Sequence, residues 1–157
     1  MAKVVIFAVL FAIGVITGSA TAADEGLFTR CASMDLVIEE LDSEDTQRTG
    51  LTEKSIENAV ESRLRAARLF APSGKQNRRQ YLYIRVNTVG FAFSIEVELA
   101  RYLDDLGYGF GGSATVWNVI STGMHGGDGQ YILGLVAKYL DEFIASYLRV
   151  NEEHCSR

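Results

Sequence analysis

Five side chains carry the densest chemistry in this sequence. Tyr81, Tyr83 and Arg85 are spaced two residues apart, and so are Glu96 and Glu98. Alternate spacing places residues on one face of a strand. Two phenol rings, a guanidinium and two carboxylates on one face would form a platform for a protein or polymer, with Trp117 a candidate sixth member. The same residue types also stabilise a sheet on their own account, through cross-strand tyrosines and Arg–Glu pairs. Paired carboxylates are the equipment of glycoside hydrolysis. Nothing near Glu96 or Glu98 in the sequence, however, gives either a reason to hold a proton at neutral pH.

A second candidate is a run of charge. From Arg63 to Arg85 the chain has seven basic residues and no acid, whereas Asp35 to Glu57 has eight acids against Arg48 and Lys54. The basic run could take an anion such as a headgroup or an acidic polymer, with Arg63, Arg78 and Arg79 as contacts. Alternatively the two segments neutralise each other. The glycine-rich stretch Gly123 to Gly129 precedes a helix pattern, and helix N-terminal amides bind anions. It lacks the phosphate-loop pattern, and Asp128 would repel an anion, so a structural turn is the simpler expectation. The second loop, Gly107 to Gly112, has no dinucleotide-site context. His125 and His154 are the only histidines, with no spacing suited to a metal, and no cofactor motif is present. A hydrolase would need His125 within reach of a serine or an acid.

These residues sit in a chain with an export layout. Lys3 precedes an uncharged apolar run, Val4 to Ile16, and Ala20-Thr21-Ala22 is a small-x-small cleavage signal. Residues 1–22 are therefore expected to be a signal peptide, residues 23–32 a flexible leader and residues 33–155 one domain. Without the signal the chain has 14 basic and 20 acidic residues, a net charge of −6. Such a balance disfavours nucleic acid as a partner. Cys31 follows Leu27-Phe28-Thr29-Arg30, which is no lipobox, so no stable membrane insertion is expected after cleavage. Cys31 and Cys155 are the only cysteines, and in an exported chain they are expected to pair. The location would be periplasmic or secreted.

The elements that must position the candidates follow from periodicity. Met34 to Leu41 reads as a strand, and the acidic segment after it as a turn. Thr52 is a helix N-cap, and Leu51 and Ile56 have the spacing of a hydrophobic staple. Ile56, Val60 and Leu64 then repeat at helical spacing, giving a helix over Glu53 to Leu69 that Pro72 to Gly74 would end. Leu82, Ile84 and Val86 alternate with the tyrosines. After a turn at Asn87 to Gly90, Phe91, Phe93, Ile95, Val97 and Leu99 alternate with Ala92, Ser94, Glu96, Glu98 and Ala100, with Val86 set opposite Phe91. A strand near Ser113 to Ser121 and a helix over Gly129 to Val150 complete the chain. The order β-α-β-β-β-α predicts an α+β two-layer sandwich: a four-stranded mixed sheet with two helices on one face and the other face open. This path brings Cys31 near Cys155.

Two blocks, YLYIRVNTVGFAFSIEVELARYL (Tyr81 to Leu103) and ATVWNVISTG with YLDEFIASYLRVN (Ala114 to Asn151), resemble a family of small exported bacterial proteins of unknown function. In strand order the domain also resembles envelope-assembly modules, namely the amino-terminal domain of the Tol–Pal translocation protein and the lipopolysaccharide-assembly lipoprotein. These resemblances imply an α+β fold and no assigned activity. The expectation from the whole chain is a non-enzymatic domain that binds an envelope protein or polymer through its open sheet face. A small-molecule or anion binder is the alternative, and a hydrolase the third reading.

Overall fold

The computed structural model describes residues 26–71, 80–104 and 111–155. The expected signal peptide, Lys75, Arg78, Arg79 and most of the Gly107 to Gly112 loop lie outside the described residues. The elements run β1 (Asp35–Ile38), α1 (Ser43–Thr49), α2 (Glu53–Ala66), β2 (Gln80–Val89), β3 (Ala92–Asp104), β4 (Gly111–Met124), α3 (Gly129–Val150) and α4 (Glu152–Cys155). The strands form one mixed sheet in the order β1-β2-β3-β4, with β1 parallel to β2 and the others antiparallel. It is the expected α+β sandwich, with two short helices added.

The core is built by matching periods. Ile56, Val60 and Leu64 of α2 and Ile132, Val136, Leu140, Phe143 and Tyr147 of α3 are buried at helical spacing. They pack in one cluster with alternate residues of β2 and β3, from Leu82 to Val86 and Phe93 to Leu99. Each such side chain contributes about 1.5–3 kcal/mol by leaving water. Both long helices thus cover one face of the sheet.

The caps explain the helix bounds. Thr52 and Ser55 form a capping box, and Leu51 and Ile56 are both buried. The helix ends at Ala66, earlier than expected and before Pro72. Arg68 adopts φ 59°, and Arg68 N–H and Leu69 N–H donate to Arg65 O and Leu64 O. That is a Schellman ending with arginine in the left-handed position that glycine usually takes. The acidic segment is a helix rather than a turn: Asp42 caps its start by accepting from Glu44 N–H, and Gly50, at φ 69°, closes its end.

The β2–β3 hairpin differs from expectation in register. Val86 lies opposite Ile95, not Phe91, and Val89 opposite Ala92, so the turn is Gly90-Phe91. The displacement is an even number of residues. Every side chain that stays in a strand therefore keeps its face, as a period of two requires, whereas Phe91, expected in the apolar row, sits in the turn and is 60% exposed.

Residues 26–32 also depart from the expected flexible leader. Leu27 is buried in the core, and the Asn151 carboxamide binds the main chain of Leu27, Thr29 and Cys31. Cys31 and Cys155 are joined as a disulfide, with Cα atoms 5.1 Å apart across a separation of 124 residues.

Candidate functional site

The face of the sheet away from the helices carries most of the platform residues. In β2, Tyr81, Tyr83 and Arg85 alternate with the core residues Leu82, Ile84 and Val86. The ladder sets Tyr83 opposite Glu98 and Arg85 opposite Glu96, while Tyr81 faces Ala100 and Asp35. The sheet thus brings Tyr81, Tyr83, Arg85, Glu96 and Glu98 together.

Arg85 is the centre of the face. Its Nε donates to the Glu39 carboxylate and its Nη1 to Glu96 Oε2 at 3.3 Å. Tyr83 Oη donates to the same Glu39 oxygen, and the Arg85 guanidinium lies 5.5 Å from the Tyr83 ring centre. A polar row therefore crosses three strands, from Glu39 beyond the end of β1 to Glu96 in β3. The Tyr83 hydrogen bond and the Arg85 cation hold the Glu39 carboxyl below its ordinary range. Reciprocally, Glu39 pushes the Tyr83 phenol and the Arg85 guanidinium upward. Glu96 is thereby committed to an ion pair rather than to a paired-carboxylate arrangement with Glu98.

Glu39 lies in the Met34 to Leu41 run, and residue spacing does not find it because spacing within one strand does not say which residues of β2 it meets. Its position two residues beyond Val37, itself opposite Tyr83, is the available signal.

Trp117 is a correction. It lies on the helix-covered face, 5.1 Å from Phe143 between ring centres. Leu99 pairs with Trp117 and Ala100 with Thr115, so Val116 is an extra residue on β4. Trp117 shares the inward face of its partner Leu99. The outward residue of β4 beside Glu96 is Ile120, which is 60% exposed. With Val37, Val89 and Met124 it supplies exposed apolar surface around the polar row. Tyr81 and Tyr83 are half-buried, so no patch of three exposed aromatic rings forms.

The other candidates are occupied. Arg63 Nε donates to Asp141 Oδ1 at 3.1 Å, joining α2 to α3, and Arg65 pairs with Glu61. Of the expected anion contacts only Arg63 is described, and it has a carboxylate partner. Asp128 accepts from Gln130 and Tyr131 N–H, filling the amides that an anion would need at the start of α3. Both ring nitrogens of His125 face main chain: Nδ1 accepts from Gly127 N–H, and Nε2 lies 3.2 Å from Gly90 O. The imidazole ties the α3 approach loop to the hairpin turn, and its ring partners are neither a serine nor an acid. Among the described residues no cluster of His, Cys, Asp and Glu is grouped to hold a metal. Nor is any described helix long and apolar enough to cross a membrane.

The chain matches no protein-family model and no curated protein.

Proposed function

We propose that this is an exported, non-enzymatic domain that binds an envelope protein or polymer through the open face of its sheet. One observation carries the reading. Among the described residues the helices cover only one side of the sheet, and the other side has a fixed polar row, Glu39–Arg85–Glu96 with Tyr83, amid exposed Val37, Val89, Ile120 and Met124. Preset hydrogen-bonding groups within an apolar surround are the makeup of a protein-binding patch. Export rests on residues 1–22, and the Cys31–Cys155 disulfide supports an oxidising compartment.

Position-dependent crosslinking in the native envelope tests the reading. A photoreactive amino acid at Ile120 is expected to give an adduct of discrete mass, and one at Gly134, exposed on α3, is not. Tyr83→Ala is expected to abolish the Ile120 adduct. No adduct at Ile120, or the same adduct from Gly134, would overturn the proposal.

A further inference from the structure

On the far side of β1, away from β2, a groove of about 220 Å³ separates the strand from α2. Leu36, Ile38 and Phe70 form its apolar floor, and Glu53, Glu57 and Glu61 its rim. It shares neither the polar row nor the exposed apolar residues of the open face.

The main chain of β1 is half-used. Glu39 N–H donates to Ile84 O in β2, whereas Met34 bonds the other way, to Leu69 O and Ala71 N–H. N–H and C=O directions alternate along a strand in a parallel ladder. Leu36 and Ile38 therefore share the direction of Met34 and turn their N–H and C=O into the groove. Among the described residues no strand pairs with them. The single bridge of Met34 with Phe70 begins a fifth strand position, and no described residue continues it beside Leu36 and Ile38.

The rim sets the charge of an occupant. Glu53, Glu57 and Glu61 recur every four residues on α2, a rise of about 6 Å per step. Alternate residues of an extended chain are about 6.6 Å apart. Among the described residues the basic side chain at the groove is Arg65, whose guanidinium lies 4.2 Å from the Phe70 ring centre and pairs with Glu61. Lys54 and Arg65 pair with Glu57 and Glu61 along the helix surface, and such solvent-exposed pairs are weak enough to exchange. Glu53 already accepts a main-chain N–H, from Leu41 at 3.0 Å, so its carboxylate reaches the line of the strand. Asp35 also borders the groove, but its register opposite Tyr81 sets it on the open face of the sheet, apart from the glutamate rim.

We propose that this groove binds an extended peptide segment of a partner protein, with Lys or Arg at alternate positions, added to β1 as a fifth strand. The segment's main chain pairs with Leu36 and Ile38. Its long basic side chains lie along Leu36, Ile38 and Phe70, with their charged ends at the glutamate rim.

The test uses the full disulfide-bonded chain and a fluorescein-labelled hexapeptide alternating Lys and Thr, read by anisotropy. Saturable binding is expected, and none to the same peptide with Glu in place of Lys. Glu57→Gln with Glu61→Gln is expected to weaken binding about fivefold or more while leaving the urea midpoint in place. Two further peptides carry N-methyl groups on alternate amides, in opposite phase. One is expected to bind normally and the other about tenfold more weakly, because only one set of amides faces β1. Equal loss in both phases, or unchanged binding by the Glu57/Glu61 variant, would overturn the proposal, as would no binding at all. Residues 72–79 carry Lys75, Arg78 and Arg79 and are the competing occupant. Binding only to a Lys75→Ser, Arg78→Ser, Arg79→Ser variant would assign the groove to the chain itself and likewise overturn it.

Discussion

Asn151 Nδ2 donates to Leu27 O at 2.9 Å, linking the end of α3 to a residue 124 positions earlier. The same side chain donates to Tyr147 O, and its Oδ1 accepts from Thr29 N–H at 2.8 Å and Cys31 N–H at 3.2 Å. Asn151 is fully buried, and so are its bonds to Leu27 O and Tyr147 O, while those from Thr29 and Cys31 are partly buried. Asn151→Ala is expected to destabilise the fold by about 2–4 kcal/mol, the cost of leaving buried main-chain groups unmet. Urea denaturation of the oxidised protein measures it. A change under about 0.5 kcal/mol would mean that residues 27–31 are not anchored by this carboxamide.

Acid dependence follows from Glu39. Tyr83 and Arg85 lower its folded-state pKa, so the folded state binds fewer protons than the unfolded state as pH falls. The stabilisation is complete above the unfolded value of about 4.3 and is lost as pH drops through the lower folded value. Asp35 is shifted upward by burial and acts in the opposite sense. The difference between wild type and Glu39→Gln isolates the Glu39 part. Wild type is expected to be the more stable at pH 7, with the gap closing below about pH 4. Urea midpoints at pH 7, 5, 4 and 3 read it out, and a gap independent of pH would refute the Tyr83–Glu39–Arg85 row.

The two faces of β4 should respond differently. Trp117 packs on Phe143, so Trp117→Ala is expected to cost about 3 kcal/mol in stability. Ile120 is exposed opposite Glu96, so Ile120→Ser is expected to change stability by less than about 0.5 kcal/mol. Paired urea titrations decide it, and the reverse ranking would place Trp117 on the open face after all.

Much of this architecture is legible in residue order because long, one-sided patterns are hard to misread. The Thr52 cap, the Ile56–Val60–Leu64 stripe and the alternation through β2 and β3 give the layers and the faces of Tyr81, Tyr83, Arg85, Glu96 and Glu98. Register is harder. A hairpin moved by an even number of residues satisfies the same alternation, so the sequence does not separate Val86 opposite Phe91 from Val86 opposite Ile95. The helix Ser43–Thr49 is two turns long with no apolar stripe, and only Asp42 and Gly50 mark it. Trp117 escapes because one unpaired residue, Val116, resets the alternation along β4. Glu39 escapes because its place beside Arg85 depends on the long-range parallel register of β1 on β2, which alternation within Met34 to Leu41 does not give.

The Cys31–Cys155 bond has a mechanical consequence. Tension applied to the chain on either side of these two residues runs through the sulfur–sulfur bond and bypasses the four strands and both long helices between them. Among the described residues, the stretch before Cys31 is what can be drawn off, by extracting Leu27 and parting Thr29 from Asn151. While the bond is oxidised, a pull along the chain therefore peels a short strap and leaves both the open face and the glutamate-rimmed groove intact. Reduction moves the load onto the sheet itself.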